Sequence, residues 1–373
     1  MYKEKVSKNI LFYLAYGLLL FATMFSGIKV INDISIYIKY LSTILLVVFF
    51  SISYNWKIKK NDIYKIILII SALVSFIISK NNDLIILYFL IIISQFIEYK
   101  KIIKADFYFR TFFIIIVMLL YFLGVTNKFD ILTIYNGKMF LRHSMGFTHP
   151  NIFGINLFIV CSDWIYLRYN KIKPFDYILL LIVSATIFLL THSRTSCLCI
   201  ILITLMTFIN KKTNFKFINN NKFKKIIMLL PIAILIFYFV MISLIRTSNS
   251  VSDIFNKVLS DRIGLADRAI KKYGITPFGS EIPQYDVYKK SRGIIFIDNS
   301  YFTFLLNFGV VDLIELLIII YEIIKKGYKN KNFFVISELF VFLIYGLSEN
   351  ILVSYYYNII FLYLYAIDEN ELR

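Results

Sequence analysis

The chain has 373 residues, 59% of them hydrophobic, and its 41 Lys and Arg against 23 Asp and Glu give a formal net charge of +18. Soluble domains are about 45–50% apolar, so a water-soluble class is excluded. The positive balance does not indicate nucleic acid, because the cations stand in short loops between apolar runs, a topology signal rather than a binding stripe.

Apolar runs of membrane-spanning length, about 17–25 residues, recur from end to end. In chain order the predicted spans are 9–28, 34–53, 63–79, 83–98, 108–125, 150–167, 175–191, 195–210, 226–245, 299–324, 332–347 and 351–367. They lack the two-residue alternation of barrel strands, so helix is the expected spanning form. The first run follows Lys3, Lys5 and Lys8 and has no small-residue cleavage pattern after it, so it reads as a span rather than a signal peptide. The expected fold class is all-α: a polytopic transmembrane helical bundle of twelve spans, one transmembrane domain over 1–373. External loops are expected at 126–149 and 246–298, the second carrying short amphipathic helices.

With the N-terminus cytoplasmic, the inner segments hold twenty-four Lys and Arg, Arg110 among them, and the short outer loops hold six. The positive-inside rule therefore puts both termini in the cytoplasm and the long loops outside, in a multi-pass protein of the cell membrane. The stretch 175–210 has no Gly or Pro break, yet Lys171/Lys173 and Lys211/Lys212 flank it on both sides. A hairpin turning at Thr191–Arg194 keeps both flanks inside, and keeps His192 and Arg194 out of mid-bilayer. Cys161, Cys197 and Cys199 fall within spans and read as small apolar residues. No disulfide framework, metal site or nucleotide loop is suggested.

The expected external face gathers the chemistry. The segment Arg142–Gly154 holds Arg142, His143 and His149, and the chain has only three histidines. Pro150 suits a first helical position, which makes His149 the expected N-cap, either a plain cap or a neutral base beside an anion-binding helix end. Arg194 in the tight turn must reach headgroups or a phosphate. Val251, Ile254, Phe255, Val258 and Leu259 trace an amphipathic helix suited to the bilayer surface. Arg262, eleven residues from Val251, is expected on the apolar face of that helix, with Arg268 in a second stretch after Gly264. Across Arg246–Asp298 nine basic residues, including Arg292, face six acidic ones, including Asp286, which suits an anionic ligand. Asp312, Glu315, Glu338 and Glu349 approach the membrane and are expected to pair with these arginines.

The order of motifs over about 140–350 resembles the Wzy-type polysaccharide polymerases and, more distantly, the O-antigen ligases. The likeness lies in G-F-T-H-P-N-I-F-G at Gly146–Gly154, H-S-R-T-S at His192–Ser196, D-R-I-G at Asp261–Gly264, P-F-G at Pro277–Gly279, D-N-S-Y at Asp298–Tyr301 and L-L-N-F-G-V at Leu305–Val310. The resemblance implies a metal- and cofactor-independent glycosyltransferase with undecaprenyl-diphosphate-linked oligosaccharide as donor and acceptor. A flippase and a chain-length regulator are implied partners, within membrane lipid and without nucleic acid. It implies Arg142, Arg194, Arg262 and Arg268 as diphosphate ligands. The ligases are expected to use a histidine of the long external loop, and this loop has none. His149, His192, Asp298 and Glu349 stand as alternative bases. A lipid-linked oligosaccharide flippase, and a ligase acting on another acceptor, are the competing readings.

Overall fold

The computed structural model describes residues 2–54, 62–135, 138–283 and 297–368. The loop residues Lys57, Lys59, Lys60, Asp286, Arg292 and Arg373 of the charge pattern lie outside them. The helices in chain order are α1 (Tyr2–Met24), α2 (Lys29–Ser53), α3 (Asp62–Ser79), α4 (Asp83–Ile93) and α5 (Tyr99–Phe122). A hairpin of β1 (Ile131–Tyr135) and β2 (Lys138–Arg142) follows. Then come α6 (Pro150–Arg168), α7 (Pro174–Thr191), α8 (Arg194–Lys212) and α9 (Asn221–Arg246). The last are α10 (Ser250–Val258), α11 (Arg262–Tyr273), α12 (Ser300–Asn307), α13 (Gly309–Lys329) and α14 (Phe333–Tyr345).

The all-α class holds apart from that hairpin, and the count of twelve spans does not. Among the described residues seven helices are long and apolar enough to cross a membrane: α2, α3, α5 to α9. Their large apolar side chains, such as Tyr37, Leu189 and Leu229, are exposed. Such a surface would be sticky in water and is the natural one in lipid, so the chain is a multi-pass membrane protein. Hydroxyls along these helices return to carbonyls of the preceding turn, as Ser42 does to Ile38 and Thr186 to Ile182. That satisfies them without water.

Two predicted spans fail for identifiable reasons. The run 299–324 is broken at Phe308–Gly309, between α12 and α13. Gly309 has φ +92, and the two backbones lie so close that a Cβ on Gly309 would stand 2.3 Å from Pro277 O and one on Gly279 1.9 Å from Asn307 O. Ser280 N donates to Leu306 O (2.9 Å) and Val311 N to Pro277 O (3.0 Å), so loop backbone completes the broken helix. The run 351–367 forms no long helix. It is a buried chain of turns with short 3-10 segments at Asn350–Leu352 and Ile359–Leu364. Its apolarity fills a core rather than facing lipid. Two further expectations change. Arg110 is not an inner-loop residue but lies three turns into α5, fully buried. The amphipathic helix ends at Val258, Ser260 and Asp261 turn left-handed, and Arg262 opens a separate helix that includes Gly264.

The chain forms two compact units. Unit 1 comprises Met1–Lys57, Ile93–Met206 and Tyr365–Arg373. In it α1 packs on α2 and α5, α5 on α6, and α6 on α7. Unit 2 comprises Ile58–Ile92 and Thr207–Leu364. In it α9 packs against α10, α11, α13 and α14, and α13 against α3.

Candidate functional site

Unit 1 holds Arg142, His149, His192 and Arg194. His149 caps α6: its backbone is extended, Pro150 follows, and its Nδ1 accepts from Asn151 N at 3.1 Å. That nitrogen is therefore unprotonated and the ring proton sits on Nε2. Asn151 also links the cap to Arg142, accepting from the guanidinium through Oδ1. Arg142 Nε donates to Thr191 O at 2.8 Å, tying the end of β2 to the last turn of α7. His192 ends that helix in the left-handed region (φ 49), and its ring packs between Phe140 and Phe188 with centroids 4.9 and 5.5 Å away. Arg194 opens α8 and is exposed, so the Thr191–Arg194 turn is the hairpin its flanking charges imply. The two motifs of this unit also touch. A Cβ on Gly154 would stand 2.4 Å from Ser196 Oγ and 3.0 Å from Ser193 Oγ, so α6 and α8 meet at a point only glycine permits.

The same unit carries a group the motifs do not name. Asp130 Oδ2 lies 3.2 Å from His143 Nδ1 and accepts from Tyr121 OH at 2.8 Å, while Oδ1 accepts from Ser144 N at 2.7 Å. Burial alone would raise the Asp130 carboxyl, but the hydrogen bonds from Ser144, Tyr121 and His143 outweigh it and hold the group below the usual carboxylate range. The available signal was Asn136-Gly137 between two largely apolar five-residue runs, a common mark of a hairpin. Such a hairpin brings residue 130 back alongside 143, and Ile131 does pair with Arg142.

Unit 2 holds Arg262, Arg268, Asp298 and Glu349, and brings three of them together. Arg262, the first residue of α11, pairs with Glu349 at 3.1 Å, the two side chains only 13% and 12% exposed. Its Nη1 donates to Leu259 O, and among the described residues its buried Nε–H finds no acceptor. Asp298 feels the Arg262 charge, yet burial dominates and pushes its carboxyl up. The surrounding backbone is fixed by side chains: Ser300 Oγ donates to Glu349 O at 2.5 Å, and Asn299 caps α12 while donating to Leu347 O. Arg268 stands apart in an exposed pair with Asp261 at 2.6 Å.

Buried polar clusters lie deeper in each unit. In unit 1 Arg110 makes a two-pronged pair with Asp106 (2.8 and 2.7 Å) and donates to Asn156 Oδ1 (2.6 Å). Tyr16 OH donates to Asp106 at 2.5 Å, and the buried Asp163 carboxyl adds its charge to the surroundings of Arg110. In unit 2 Asp312 and Glu315 meet no arginine among the described residues. Ser75 donates to Asp312 and Ser71 to Glu315 (2.6 Å), so hydroxyls of α3 meet both carboxyls of α13. Among the described residues no three His, Cys, Asp or Glu gather in a way that could hold a metal.

Compared with known proteins, the chain matches no family model, no curated protein and no solved structure.

Proposed function

We propose that the chain is a glycosyltransferase that lengthens a surface polysaccharide on the external side of the membrane. Its donor and acceptor are oligosaccharides carried on undecaprenyl diphosphate, and the growing glycan passes from its lipid diphosphate to the next lipid-linked repeat unit. The observation that carries this reading is Arg262, nearly buried among Glu349 and Asp298, with an Nε–H that lacks an acceptor among the described residues. Leaving such a group dry costs about 1–3 kcal/mol, so an incoming oxyanion completes it. A leaving lipid diphosphate supplies that oxyanion just as its charge grows, and a fixed cation in poorly solvated surroundings stabilises it best at that moment. The joint geometry of Arg262, Asp298 and Glu349, which stand far apart in sequence, supports placing substrate there.

The test is deletion of the gene followed by gel analysis of lipid-linked and surface glycans. Single repeat units in place of a ladder are expected, and an unchanged ladder overturns the reading. Full-length polymer left unattached assigns the chain to the ligases. A second reading, a transporter of the lipid-linked units, is favoured by the buried Asp106–Arg110 and Asp312–Glu315 clusters, since ionisable groups inside a bundle often line a pathway. Units trapped on the cytoplasmic side would establish it instead.

A further inference from the structure

We propose that His143 is the proton acceptor for the attacking sugar hydroxyl and that Asp130 is the residue that positions it. The proposal rests on the glycosyl-transfer reading above. Three donors converge on Asp130: Ser144 N on one oxygen, Tyr121 OH and His143 Nδ1 on the other. An ionised carboxylate only accepts, so the shared contact places the imidazole proton on Nδ1 and leaves the lone pair on Nε2. Tyr121 OH, 3.4 Å from Nδ1, gives its own hydrogen to Asp130 and does not compete for that position.

The mount is rigid. His143 N donates to Leu190 O at 2.9 Å while Arg142 grips Thr191 O, so strand end and helix end hold the residue from both sides. Its side chain remains 37% exposed, open to a ligand. The charged groups nearby are Asp130, Arg142 and Lys128, whose ammonium lies over the Tyr121 ring. The other two histidines are unsuited to the task. His149 spends its Nδ1 lone pair on the α6 cap, and His192 is wedged between phenylalanine rings.

In the step, the acceptor O–H bond breaks and its proton goes to His143 Nε2. The freed oxygen pair forms the bond to the donor's anomeric carbon. The bond from that carbon to the diphosphate oxygen breaks, and its electron pair leaves with the lipid diphosphate. The imidazolium so formed is stabilised by Asp130 and later returns its proton to water.

Two measurements test this on the full chain. With ring-¹⁵N histidine, the three histidines of the chain give three resolvable sets of signals in detergent micelles. His143 is expected as the Nδ1–H tautomer, shifting to a mixture in Asp130→Asn and returning in Asp130→Glu. An Nε2–H His143, or no response to Asp130→Asn, overturns the assignment whatever the protein's activity. In cells, His143→Gln is expected to reduce chain lengthening by about a hundredfold or more while the variant still accumulates in the membrane. A wild-type ladder from His143→Gln overturns the proton-acceptor role alone. An unchanged ladder on gene deletion overturns the glycosyl-transfer reading and this role with it, and leaves the tautomer result standing.

Discussion

Asp130 in unit 1 and Asp298 in unit 2 are both carboxyls of a predicted external loop, and their surroundings drive them in opposite directions. Asp130 receives a backbone N–H, a phenol and an imidazole, and these fix it as an anion. Asp298 is half-buried, the Arg262 charge alone among the described residues opposes the loss of water, and its carboxyl is pushed up. The difference teaches that donor count, not the presence of an arginine, decides which carboxyl orients a histidine and which can give a proton.

The harshest way to break the comparison is Arg262→Ala. It strands Glu349 in a nearly buried pair, and a loss of about 3–5 kcal/mol in unfolding free energy is expected, read from thermal unfolding in detergent. The double variant Arg262→Met with Glu349→Leu should recover that stability and still fail to lengthen chains. Recovery of chain growth would make the pair purely structural. The two carboxyls themselves should give opposite pH slopes. The stabilisation from Asp130 is complete above its unfolded value of about 4 and disappears as pH falls through its depressed folded value. Asp298 carries no penalty below about 4, and its penalty grows as pH rises toward its raised folded value. Asp130→Asn should therefore lower Tm at pH 7, and Asp298→Asn should raise it, with both differences shrinking toward pH 3. Slopes of the same sign would dissolve the contrast.

Smaller effects follow. His149→Ala removes a helix cap and should cost about 1 kcal/mol, whereas His149→Asn keeps the cap and should keep chain lengthening. Loss of the glycan ladder in His149→Asn would return His149 to the proton-transfer step. Arg268→Ala breaks an exposed pair, and a change below about 1 kcal/mol with normal chain growth is expected. A shortened ladder would put Arg268 back among the diphosphate ligands.

Hydropathy made most of the helices legible, and local rules located the His149 cap and the Thr191–Arg194 turn, because both depend on neighbours in sequence. The breaks were hidden for a matching reason. A window average sees that 299–324 and 351–367 are apolar, but not that Pro277–Gly279 inserts at Gly309, nor that 351–367 is covered by protein. The amphipathic pattern likewise ran across Ser260 and Asp261, where the backbone turns. The Asp130–His143 contact is carried by strand pairing, and the groups that the Asp106–Arg110 pair meets beyond α5 lie on other helices at positions 16, 156 and 163. Periodicity along one segment contains neither.

The Asp106–Arg110 pair also bears on how the chain enters the membrane. The two residues are four apart on α5, so their charges cancel within a single helix. During synthesis α5 emerges before α6 supplies Asn156 and Asp163, and chains fold from the N-terminus as they are made. An arginine delivered alone to lipid would stall at the interface, whereas one matched on its own helix is delivered as a neutral unit. The later helix then docks onto a polar knot already tied, which gives insertion a fixed order of events.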